Sequence, residues 1–153
     1  MRRPTRFFPV LLLGLAVLLS PAGALADEGI PRSERPEQAA LYFISPEDGA
    51  TLTSPVTVRF GLREMGVAPA GVQKPATGHH HLIVDADLPP MDLPVPKDDQ
   101  HLHFGAGQTE VELELAPGRH TLQLLLGDHR HVPHDPPVVS EQITIQVQSG
   151  SDD

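Results

Sequence analysis

Hydrophobic and polar positions alternate along this chain in short runs, and no helical period lasts beyond two turns. The cleanest run sets Val111, Leu113 and Leu115 against Glu110, Glu112 and Glu114, the signature of a half-buried strand. Val56, Val58, Phe60 and Leu62 share one face of a second, with Thr57, Arg59 and Gly61 on the other. Leu122, Leu124 and Leu126 alternate with Thr121, Gln123 and Leu125, and Val139, Ile143, Ile145 and Val147 form the last strand. Leu41–Ser45, His79–Asp85 and His101–Phe104 complete the set. Between them stand turn residues, notably Pro46-Glu47-Asp48-Gly49 and Pro117-Gly118. The connection 86–100 carries Pro89, Pro90, Pro94 and Pro96, too many prolines for a central strand.

Seven short strands in about 100 residues predict an all-β chain. The expected form is a single immunoglobulin- or fibronectin-type antiparallel β-sandwich over residues 41–148. Ser45-Pro46-Glu47-Asp48-Gly49, followed by Ser54-Pro55-Val56, reads as the entry from the first strand to the second. Pro117-Gly118-Arg119-His120 reads as the entry to the sixth strand, with His120 where a corner tyrosine is expected, so His120 is read as structural. The strand inventory alone also fits a jelly roll or a small barrel.

The first 26 residues read as a cleaved Sec-type signal peptide. A basic start (Arg2, Arg3, Arg6) precedes an apolar run from Phe7 to Leu19, too short to span a bilayer, and Ala24-Leu25-Ala26 supplies the cleavage signature. Residues 27–40 are a polar, proline-bearing lead-in and 149–153 a polar tail, both expected to be flexible. Cleavage leaves 127 residues and removes three arginines, taking the formal charge from −9 to −12. The expected product is periplasmic or secreted, bacterial and without a membrane span. The acidic balance and an aromatic content of 4% argue against nucleic acid as a partner.

Composition then isolates the chemistry. The chain has no cysteine, so disulfides, thiolate metal sites and a cysteine nucleophile are excluded, yet it has nine histidines. Eight fall into three groups: His79-His80-His81, His101-Leu102-His103, and His129, His131 and His134 in the loop after the sixth strand. Residues two apart on a strand point the same way with backbones about 6.6 Å apart. Both rings of a His-x-His pair therefore reach one ion. In a sandwich the start of the third strand and the end of the sixth lie at one end, so the first and third groups become neighbours. His101–Phe104 joins them if it pairs with the third strand. If it lies on the opposite sheet, a core about 10 Å thick intervenes. If His80, Leu82 and Val84 face inward, His79 and His81 face outward.

The candidate ligands are His79, His81, His101, His103, His129, His131 and His134, with Asp128 and Asp135 as orienting carboxylates. Imidazole without thiolate favours Cu(II) or Zn(II) over Cu(I). The alternative is a cell-envelope interaction module, partnered by another envelope protein, whose histidines form a structural or pH-responsive hydrogen-bond network. A copper-dependent redox enzyme is a second alternative. No catalytic residue is assigned, since nucleophile-elbow, zincin and P-loop motifs are absent from the sequence.

Three segments carry a family resemblance: Thr77-Gly78-His79-His80-His81-Leu82-Ile83-Val84-Asp85, the run from His101 to Glu110, and the run from Pro117 to His129. Occurring in this order, they resemble an exported bacterial family catalogued as domain of unknown function 4399, over roughly Leu41 to Val147. The resemblance implies an extracytoplasmic β-domain and carries over no activity and no site residues.

Overall fold

The computed structural model describes residues 29–150. The expected signal peptide, residues 1–26, lies outside the described residues. The strands are β1 (Ala40–Ser45), β2 (Thr51–Thr53), β3 (Val56–Arg63), β4 (Gly66–Val67), β5 (Thr77–Val84), β6 (His101–His103), β7 (Glu110–Leu113), β8 (Gly118–Gly127) and β9 (Ile143–Gln148). They form two sheets, β1-β3-β7 and β2-β9-β8-β5-β4, with β6 also paired to β5. This is an all-β sandwich. The first strand is split between the sheets: β1 runs antiparallel to β3, and after the Pro46–Gly49 turn β2 runs parallel to β9. The short β2 and β4 were not legible as strands. At three and two residues they are held by backbone pairing and are too short for alternation to mark them.

The core lies between the sheets. Val56, Val58 and Phe60 from β3 and Leu113 from β7 meet Leu82 and Val84, Leu122, Leu124 and Leu126, and Ile143, Ile145 and Val147. These are the inward positions that the alternation marks. Val139 lies before β9 and makes only an isolated bridge to Leu125.

The six-stranded sheet is covered on its outer face too. Leu125, which interrupts the alternation of β8, joins Ile83 and Val95 in a second buried cluster, flanked by Met91, Ala86 and Val139. The connection 86–100 and the segment after β8 therefore lie over that face. In consequence β5 is buried at every position from Gly78 to Val84. The lead-in, read as flexible from its polarity, bonds to the segment after β8. Arg32 donates to the carbonyls of Pro133 and His134, and Glu34 bridges Asp135.

Candidate metal centre

Strand alternation divides the three consecutive histidines of β5. His80 faces the core, its ring 5.2 Å from that of Phe60. His79 and His81 face the other way. Beside them β6 is antiparallel to β5 with His103 opposite His81, which places the second histidine group on the same sheet as the first. On the other flank β8 sets Gly127 opposite His79 and Leu125 opposite His81. Beyond Gly127 the chain folds back. The Val132 carbonyl accepts from the Asp128 amide, the Asp128 carbonyl accepts from the His131 amide, and Gly127 bridges Pro133. This return lays His131 over the outer face of β5.

The rings of His79, His81, His103 and His131 form one cluster. Ring nitrogens of His79, His81 and His103, one from each, lie within 4.8 Å of one another. The ring of His131 is 5.0 Å from His79, 4.8 Å from His103 and 6.3 Å from His81. Two glycines make room. A Cβ on Gly127 would come within 2.6 Å of the His81 ring, and one on Gly105 within 2.2 Å of the His103 ring. Neither glycine was singled out from sequence. The readable signal was small residues beside histidine strands, but the contact itself is tertiary.

The expectation that His79 and His81 face away from the core holds, but they do not face solvent. They are 0% and 1% exposed, because the loops cover them. Both nitrogens of each, and Nε2 of His103, are buried without a hydrogen-bond partner. Burial first, and then the neighbouring imidazoles, lower the pKa of His79 to about 4 and that of His81 to about 2. His103 is lowered by burial and then by His131 and Lys97. These rings are neutral at neutral pH, the form in which imidazole binds metal.

The remaining histidines are placed elsewhere. His101 Nδ1–H donates to Asp98 at 2.8 Å. His134 is buried and its Nε2–H donates to the Thr77 carbonyl at 3.2 Å. With His129, Arg35 and Lys74 it lines a separate open pocket of about 490 Å³. His120 takes the corner role read from sequence, donating from Nδ1 to Asp85 at 2.7 Å and from Nε2 to the Ala116 carbonyl at 2.8 Å. The two aspartates do not orient clustered rings directly. Asp128 is buried and accepts from Ser33 Oγ and from the amides of Arg130 and Val132, so it shapes the loop. Asp135 pairs with Arg32 at 3.3 Å. The reason is reach: both carboxylates sit where loop backbone and the lead-in come first.

A family model described as "Domain of unknown function (DUF4399)" matches residues 58–148, which include all nine histidines. The chain belongs to that family. Among solved structures, the endo-beta-1,4-mannanase from Thermotoga petrophila is similar at 17% identity and a TM-score of 0.44, over 74% of this chain and 20% of that one. This chain thus spans about a fifth of the mannanase's length. The Clostridium thermocellum CbhA fibronectin(III)-like modules are similar at 11% identity and a TM-score of 0.37, over 72% of this chain and 98% of that one. No curated protein matches the family member described here.

Proposed function

We propose that this protein is an exported metal-binding protein, periplasmic or secreted, which holds one divalent transition metal ion, Cu(II) or Zn(II), on His79, His81 and His103. The observation that carries this reading is the set of buried, unpartnered ring nitrogens within 4.8 Å of one another. An unpaired buried polar atom costs about 1–3 kcal/mol, and several together form an expensive arrangement unless something binds them. The chemistry of the donors agrees, since neutral imidazole suits both ions. A hydrogen-bond network would ask the same rings to bond backbone or each other, and His79 and His81 bond neither.

The decisive experiment is metal analysis and titration calorimetry on untagged residues 27–153. One equivalent of Cu(II) or Zn(II) is expected to bind with micromolar or tighter affinity at neutral pH. His79→Ala and His103→Ala are expected to abolish it, while His120→Gln, outside the cluster, leaves it intact. Absence of micromolar binding of both ions to the unmutated protein would end this reading.

A further inference from the structure

We infer that His131 is the fourth ligand of this centre, making it a closed, near-tetrahedral four-imidazole site that selects Zn(II) by geometry. This rests on the metal reading above and goes beyond it in coordination number, metal and mode of use.

A zinc–nitrogen bond of ~2.0–2.1 Å plus a ring radius of ~1.1 Å puts each ring centroid ~3.2 Å from the ion, and a tetrahedron then spaces the centroids ~5.2 Å apart. Among His79, His81, His103 and His131 the six separations are 4.8, 5.0, 5.0, 5.2, 4.8 and 6.3 Å. Five are tetrahedral in size. A square plane with the same arms would need four separations near ~4.5 Å and two near ~6.4 Å. Only His81–His131 is that long. The opposite diagonal, His79–His103, is 5.0 Å, so the four rings cannot be coplanar with one central ion. Cu(II) prefers a tetragonal field, whereas Zn(II) takes tetrahedral four-coordination.

His131 has φ 68°, a left-handed conformation that a non-glycine residue adopts at a cost. It is pinned there from both sides: its amide donates to the Asp128 carbonyl at 2.9 Å, and its carbonyl accepts from the Val95 amide at 2.9 Å. Asp128 is itself fixed by Ser33, Arg130 and Val132. Glycine or asparagine would close the same turn with less strain. What histidine adds there is a ring whose centroid lies 5.0 Å from His79, 4.8 Å from His103 and 6.3 Å from His81, beside the three histidines whose nitrogens already lie within 4.8 Å of one another.

Mode of use follows. Four protein ligands leave no coordination position for substrate, as in structural zinc sites, whereas catalytic sites keep one open. The centre therefore holds its ion rather than offering it to a substrate. His79, His81 and His103 come from paired strands and His131 from a loop, so ion entry requires that loop to lift.

The test uses His131→Gly, which relieves the backbone while deleting the ring, and His131→Asn, which also tolerates the left-handed region. Zn(II) affinity is measured by competition, and Co(II) is used as a spectroscopic probe of coordination number. The unmutated protein is expected to give the intense visible bands of four-coordinate Co(II). Both variants are expected to bind Zn(II) at least about tenfold more weakly, since even residues behind a ligand are worth 10- to 100-fold. Their Co(II) spectra are expected to become pH-dependent near neutrality, because the water that completes a three-imidazole site is ionisable, whereas the spectrum of the unmutated protein is not. Unchanged affinity and spectrum in both variants would overturn the assignment of His131 and leave the three-histidine site standing. Binding of Cu(II) but not Zn(II) by the unmutated protein would overturn this inference and leave the metal reading standing, whereas failure to bind either Cu(II) or Zn(II) would overturn both.

Discussion

The His120 imidazole faces two acceptors, the Asp85 carboxylate and the Ala116 carbonyl, so both its nitrogens donate only when it is protonated. Burial opposes that charge, but the two acceptors outweigh it and hold the pKa above the ordinary 6.5. A raised folded-state pKa gives stability that is complete below 6.5 and is lost as pH rises through the folded value. His120→Gln is therefore expected to cost about 1–3 kcal/mol at pH 6 and distinctly less at pH 9, read from urea midpoints at the two pH values. His81 has the opposite sign. Its pKa, lowered to about 2 chiefly by burial, means the unfolded chain takes a proton below 6.5 that the folded chain refuses. Metal-free protein should lose stability as pH falls from 7 toward 4. His81→Leu should weaken that dependence. It should also match or exceed the unmutated metal-free protein in stability at pH 7 by up to about 2 kcal/mol, because an apolar side chain ends the cost of two unpaired nitrogens. Chemical denaturation without metal checks this, and a large destabilisation would show that the ring is there for packing.

At the scale of elements, β5 and β6 form a rigid platform and the segment after β8 a cover. The fit between them depends on residues that carry no chemistry. Gly105 follows β6 by two residues, and an added methyl would meet the His103 ring. Gly105→Ala is expected to lower metal affinity at least about tenfold, comparable to loss of a supporting group, while the melting temperature of the metal-free protein changes little. Calorimetry alongside thermal melts separates the two. Both His-x-His pairs were legible because strand period alone puts such residues on one face, and the proline count correctly kept 86–100 out of the sheets. What that connection does instead was not legible. Its Val95 and Met91 pack on Ile83 and Leu125, and its Val95 amide holds the His131 carbonyl.

At the scale of the whole molecule, binding and folding are linked. An ion that binds only the folded chain adds about 2.7 kcal/mol at one hundred times its dissociation constant. For a domain of this size that corresponds to a rise of roughly 10 °C in melting temperature. Thermal melts with Zn(II) and then with excess chelator are expected to show the rise and its full reversal. His79→Ala should show neither.

The sequence by itself determined the all-β class, most of the inward-facing positions, the corner role of His120 and the two His-x-His pairs, while the pairing of their strands was left to the tertiary structure. Periodicity and turn chemistry are local and survive in one dimension. Only the tertiary structure decided that His79 and His81 are dry, because burial of the outer face comes from two loops folding over it. It also sorted the third group, bringing His131 into the cluster while His129 and His134 line a different pocket. Three histidines within six residues of one loop look equivalent on paper. A buried carboxylate at Asp128 and one left-handed residue tell them apart, and both act through contacts distant in sequence.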